Sequence, residues 1–165
     1  MSLVAPRTIT PSAEDVTDVD DGGEKVTAGV FWPEIVLSDA RKDMRITGTV
    51  TTSRLKHVVI EAVGHAADQL DTWRIEQQNA GFASLDTVPA MEINGQSAKV
   101  YRWRRAVYSI ARALLIETFR DVDTTGDAGE KKAAALASQA NDHWRDARWA
   151  ISDIRGEVRN SAEAF

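Results

Sequence analysis

The sequence predicts an all-α protein: a bundle of three long helices plus a short N-terminal helix, led by a disordered or extended N-terminal arm. Three observations carry this. Apolar residues recur at spacings of three and four through most of residues 52–156, with cap and stop residues between the runs. Residues 1–29 are mostly Thr, Asp, Glu, Pro, Gly and Val, too few apolar groups to bury a core. The length of 165 residues and hydrophobic content of 43% suit one domain with tails. We therefore divide the chain into a flexible acidic arm (1–30), a helical domain (31–156) and a C-terminal tail (157–165).

In the arm, Glu14, Asp15, Asp18, Asp20, Asp21 and Glu24 are opposed only by Arg7 and Lys25. It ends abruptly in Phe31-Trp32-Pro33-Glu34-Ile35. Ser38 can then cap a short helix through about Arg45, its hydroxyl oxygen accepting a first-turn amide. Thr52 or Ser53 opens the first long helix, striped by Leu55, Val58, Ala62, Ala66, Leu70 and Trp73 and stopped by Gly81. At about 1.5 Å per residue it spans on the order of 40 Å.

Residues 82–96 hold Pro89 and Asn94-Gly95 without a sustained period, which admits an irregular connection or a hairpin. Ser97 starts the second long helix, with one stripe of Val100, Trp103, Val107, Ile110 and Leu114 and another of Tyr101, Tyr108, Leu115 and Phe119. Two stripes imply burial on two sides, so this helix belongs in the middle. Asp127 with Glu130 forms a capping-box pattern for the third helix, whose face is Ala133, Leu136, Ala140, Trp144, Ala147, Ile151 and Ile154, ending at Gly156.

Bulk properties narrow the function. A formal charge of −5 and a pI near 5.2 argue against a protein whose main task is wrapping nucleic acid. The absence of cysteine excludes disulfides, thiolate zinc sites and thiol catalysis. No window approaches the roughly 18 apolar residues of a membrane span, and Met-Ser-Leu-Val-Ala-Pro has no basic region followed by a hydrophobic stretch. The expectation is a soluble, unsecreted chain with no membrane partner.

Each candidate for chemistry has a plainer reading beside it. His57, Glu61 and His65 fall at i, i+4 and i+8 and can approach a divalent metal, but no matching ligand pair lies elsewhere; a solvated face and no metal are expected. Residues 121–126 begin like an EF-hand loop, yet the twelfth position is Lys132 where calcium needs a bidentate Glu. Arg102, Arg104, Arg105 and Arg112, interleaved with Tyr101, Trp103 and Tyr108, can in principle grip a nucleic-acid backbone; the same aromatics coincide with the core stripes. In Trp144-Arg145-Asp146-Ala147-Arg148-Trp149-Ala150, guanidinium and indole recur at i, i+4 for both Arg145/Trp149 and Trp144/Arg148, which fits a rigid helix end or a partner platform. The aromatic anchor either folds back on its own bundle or, left exposed, plugs a neighbour's groove through Phe31, Trp32, Pro33 and Ile35.

The order and spacing of several uncommon combinations resemble one known family. They are Phe31 to Ile35, Arg45 and Arg54, Ala80-Gly81-Phe82, Val88-Pro89-Ala90, Ile93, Gly95, Lys99-Val100, Arg105-Ala106-Val107, Lys131-Lys132, and the Trp144 to Ala150 run followed by Ile154 and Gly156. This pattern is similar to the head completion protein L family of contractile-tailed temperate bacteriophages. The resemblance implies a virion neck protein with no enzymatic role and no cofactor, assembled in the bacterial cytoplasm. It implies docking under the portal protein after DNA packaging, closing the head and offering a tail-attachment surface to tail or neck proteins. It also implies self-association in a ring, commonly twelvefold, through which packaged DNA passes without sequence-specific binding. Partner contacts are then expected at Phe31, Trp32, Pro33, Ile35, Arg145, Arg148 and Trp149. The rivals are a small helical nucleic-acid binder using Arg102, Arg104, Arg105 and Arg112, and a bundle metalloenzyme using His57, Glu61 and His65.

Overall fold

The computed structural model describes residues 21–120 and 127–157. In chain order come β1 (Lys25–Val26), β2 (Ile35–Val36), α1 (Leu37–Asp43), α2 (Thr52–Gln69), α3 (Asp71–Asn79), a 3-10 turn (Leu85–Thr87), β3 (Glu92–Ile93), β4 (Gln96–Ser97), α4 (Ala98–Arg120) and α5 (Asp127–Arg155). The chain is mostly helical, with two short antiparallel strand pairs, β1–β2 and β3–β4. The EF-hand-like residues 121–126, the side chain of Asp127 and the arm before Asp21 lie outside the described residues.

The folded body begins earlier than composition suggests. Asp21 and Val26, assigned from composition to the arm, are buried. Lys25 and Val26 pair with Val36 and Ile35. Pairing extends into α1: the Leu37 amide donates to Glu24 O at 3.0 Å, so that helix starts at Val36 without a side-chain cap, and Ser38 does not serve as one. A backbone carbonyl has done the work expected of the serine.

The single helix expected over 52–81 is two. Thr51 caps α2 by accepting from the Arg54 amide at 3.3 Å. The helix breaks at Leu70 (φ −103°, ψ 3°), where the Leu70 amide donates to Ala67 O, and α3 continues to a left-handed Gly81 at φ 98°. The bend keeps Leu70 fully buried and lets Trp73 meet Phe31 edge-on, ring centroids 6.3 Å apart. Periodicity hides such a bend because a change at one residue barely shifts the stripe's phase.

At Asn94-Gly95 the open question resolves as a hairpin. Both residues have positive φ (52° and 73°), as a two-residue type I′ turn requires, and Glu92 faces Ser97 across it. Ser97 Oγ accepts from the Lys99 amide at 3.3 Å, opening α4 where its side chain predicts.

Helix α4 is the central element. It packs along α5 over most of its length and along α2 on another side. Contacts of Lys99 with Ile154 and of Glu117 with Trp144 make α4 and α5 antiparallel. Trp73 of α3 beside Lys99, with Glu61 of α2 sharing a cleft with Leu114, sets the α2–α3 segment antiparallel to α4 as well. The first α4 stripe forms the core, with Val100, Trp103, Val107 and Ile110 at 2% exposure or less. Tyr101 and Tyr108 on the second stripe are half-buried and Leu115 is buried; the Phe119 side chain lies outside the described residues. Across from them, Ala140, Ala147, Ala150, Ile151 and Ile154 are buried, the small residues allowing close helix approach. No helix among the described residues is long and apolar enough to cross a membrane.

Candidate functional site

The aromatic anchor lies inward. Trp32 stacks on Trp103 with centroids 4.3 Å apart and planes 9° from parallel, and Phe31 meets Trp32 edge-on at 4.8 Å. The Trp103 indole N–H donates to Pro33 O at 3.1 Å, so the buried polar atom is satisfied by the anchor itself. Phe31 and Ile35 are 3% and 1% exposed. The free-plug arrangement of Phe31, Trp32 and Ile35 is therefore not the one this fold adopts: α4 supplies the apolar groove that a neighbour would otherwise have provided. Pro33 remains half-buried and Glu34 exposed.

A latch holds the start of this segment. Asp21 accepts from Arg41 Nε and Nη2 at 2.5 and 2.9 Å and from Thr52 Oγ1 at 2.8 Å. The Arg41 hydrogen bonds hold the Asp21 carboxyl below its usual range against the opposing effect of burial. Arg41 Nη1 also donates to Val50 O at 2.8 Å, tying the arm, α1 and the loop before α2 together.

The described basic residues of the second long helix are engaged within the chain. Lys99 Nζ donates to Ile154 O at 2.5 Å and Arg102 Nη1 to Asp153 O at 3.2 Å, both at the C-terminal end of α5. Arg104 Nη1 donates to Gln96 Oε1 at 3.0 Å, Arg105 lies 3.8 Å from Asp146, and Arg112 donates to Met44 O just past α1. Arg155 does the same at the end of α2, donating to Gln69 O. Cations from neighbouring helices thus cap the carbonyl-rich ends of α1, α2 and α5, where the backbone dipoles favour positive charge. Burial, and then the nearby Arg102 charge, lowers the Lys99 pKa.

The remaining candidates separate. His57, Glu61 and His65 are exposed, and His65 lies against Trp144 with ring centroids 5.3 Å apart. Among the described residues no group of three His, Cys, Asp or Glu could hold a metal ion. Arg145 lies over Trp149 at 4.9 Å and pairs with Asp142 at 2.9 Å. The parallel pairing of Trp144 with Arg148 does not form, because the Trp144 indole turns inward and donates to Glu117 Oε1 at 2.8 Å; Arg148 is exposed.

An open cleft of about 270 Å³ lies between α1, α4 and α5, lined by Asp43, Met44, Tyr108, Ser109, Arg112, His143 and Asp146. Burial pushes the Tyr108 hydroxyl up to about 12 and the His143 imidazole down. Both groups are thus held neutral, and the Arg112 guanidinium is spent on the Met44 carbonyl. The cleft holds polar groups without the nucleophile–base pairing of a covalent catalyst.

Sequence reasoning missed the exposed apolar residues: Val30 at 88%, Met91 at 69%, Ile93 at 48%, Ile60 at 47% and Ile75 at 44%. For Val30, Met91 and Ile93 the signal was present as apolar residues in the irregular stretches around Gly29 and Asn94-Gly95; Ile60 and Ile75 are helical residues off the stripe of Leu55, Val58, Ala62, Ala66, Leu70 and Trp73. Val30 shares a cleft of about 260 Å³ with Gln96, the residue paired with Ile93, so Val30 and the hairpin stand near one another.

No solved structure matches the chain. It is 36% identical over 163 residues, covering 96% of both chains, to the head completion/stabilization protein of Escherichia phage P2. The family profile described as phage head completion protein (GPL) matches residues 26–165, from the second residue of β1 through the aromatic anchor and every described helix. The chain belongs to this family of phage head completion proteins, a structural rather than an enzyme family.

Proposed function

We propose that the chain docks under the portal of a DNA-filled phage head, closes it and presents a surface to tail or neck proteins. The observation that carries this is similarity over 96% of both chains to a head completion/stabilization protein, so the whole body, and not a shared fragment, is held in common. The fold supports it physically: a helical body with internally capped helix ends offers rigid sides, and its exposed apolar residues lie outside the core. Subunits gather in a ring matching the portal's symmetry, expected to be twelvefold, at the virion neck. Arg145, Arg148 and Trp149 are the accessible part of the predicted partner surface; Phe31, Trp32 and Ile35 contribute by holding the neighbouring Val30 turn in place. Exposed acids facing the channel would repel DNA phosphates and let the genome pass without sticking.

The test is to mix the full-length chain with purified portal protein of the same phage and follow co-migration by size exclusion. A stable complex of ring stoichiometry is expected, and no co-migration at micromolar concentration contradicts the reading. Deleting residues 1–20 leaves the Asp21 latch intact and measures the arm's share of binding; unchanged affinity removes the arm from the mechanism. Deletion through residue 35 would confound that result by stripping Phe31, Trp32 and Ile35 from the core. The nucleic-acid reading loses its support in the internal bonds of Arg102, Arg104, Arg105 and Arg112, and absence of DNA binding at low salt is the expected result.

A further inference from the structure

Two surface features of the chain have complementary form and charge, and one chain cannot join its own pair. The first is the β3–β4 hairpin. Met91 and Ile93, two residues apart and therefore on one side of the strand, are 69% and 48% exposed. The hairpin is fixed in place: its strands pair in register, the Ala98 amide donates to Met91 O at 2.8 Å, and Arg104 holds Gln96. Exposed Asp86, which shares a cleft with Gln96, the cross-strand partner of Ile93, places negative charge on that side.

The second is a groove of about 420 Å³ between the β1 segment and α2. It is lined by Val26, Ala28, Ile60, Val63 and Gly64 and bordered by Lys25 and Lys56. Ile60 is 47% exposed, and nothing lies within 4 Å of where a Gly64 Cβ would stand, so the helix opens outward there. Lys25 pairs with Glu34 and Lys56 with Glu24, each pair with both side chains more than 40% exposed. Such surface pairs are weak and exchange partners readily.

Between the two features stands the turn running from Ala28 to Val30. Ala28 lines the groove, while Val30 lines the cleft that includes Gln96 of the hairpin. The hairpin, pinned at its base, does not reach its own groove across that turn. We infer that Met91 and Ile93 of one copy enter the Ile60–Gly64 groove of a second copy, with Asp86 meeting Lys25 or Lys56. Because the two surfaces differ, the contact is head-to-tail and propagates around a ring. This deepens the ring reading above by naming its lateral contact, and it stands or falls separately from portal docking.

The chain has no native cysteine, so single introduced thiols report the contact cleanly. Full-length I93C and G64C chains are mixed under mild oxidation, with I93C plus D142C as the control, since Asp142 is exposed on α5 far along the chain. The experiment is run on the free chains at high concentration and again with purified portal protein. The expected result is that I93C and G64C join at least about tenfold faster than the control pair in one of the two samples, as contact raises effective concentration. Equal rates in both samples overturn the inference. Co-migration with portal is scored on the same portal sample: complex formation without selective joining removes this lateral contact and leaves portal docking standing, whereas selective joining without complex formation does the reverse.

Discussion

At the residue scale, Trp32 decides whether the aromatic anchor belongs to the fold or to a partner. Its stacking on Trp103 and burial to 6% place it in the core. W32A is expected to destabilise the isolated chain by about 3–5 kcal/mol, measured by urea denaturation. A free plug would leave stability unchanged and affect binding alone. Asp21 gives a second residue-level prediction. D21N keeps one acceptor oxygen but sets an NH2 donor against the Arg41 donors and leaves Arg41 without its counter-charge, at a cost of about 2–3 kcal/mol at neutral pH. The folded carboxyl titrates below its ordinary value of 3.8, so its contribution is complete above that value and is lost as pH falls through the lower folded value. The stability gap between wild type and D21N should therefore be flat above about pH 5 and shrink as the pH drops below about 4. A gap that persists unchanged to pH 2 would mean that the latch does not depend on this ionisation.

At the element scale, what was legible in the sequence followed from repetition. The α4 stripe through Val100, Trp103, Val107 and Ile110, its central place, and the Gly81 and Gly156 stops all appear where spacing and cap chemistry put them. Features set by single residues or distant partners were not legible. Nothing local marks Leu70 as a bend, and the amide that makes Ser38 unnecessary as a cap is satisfied by Glu24, thirteen positions upstream of Leu37. The engagement of Lys99, Arg102, Arg112 and Arg155 with helix ends was equally invisible, because it depends on which helix end lies next to each side chain. Of the candidate site, the Arg145/Trp149 pair was readable from its i, i+4 spacing, whereas the inward turn of Trp144 was not.

The end of α1 offers its own test. Arg45 occupies a left-handed conformation at φ 52°, with the Ile46 amide donating to Arg41 O at 3.0 Å and the Arg45 amide to Lys42 O at 3.1 Å. That is the helix-terminating geometry glycine ordinarily fills. R45G relieves the strain but loosens the unfolded chain, for a net gain of about 0.5–1 kcal/mol in thermal or denaturant unfolding. A loss of stability would assign the Arg45 side chain a contact worth more than its backbone strain.

In the whole molecule, many ionisable and apolar groups are committed to the fold itself. Most of the large apolar side chains close the core, several cations cap helix ends, and the His57, Glu61 and His65 series stays dispersed on the surface. What is left for function is shape: a stiff helical body, a fixed hairpin and an apolar groove. Such a body suits addition to an existing assembly. A reconstruction of the neck of mature particles tests this most directly. The account predicts density for α2, α4 and α5 repeated in a ring against the tail-facing rim of the portal; helical density of this chain bound only to the capsid shell, with the portal rim bare, would contradict it.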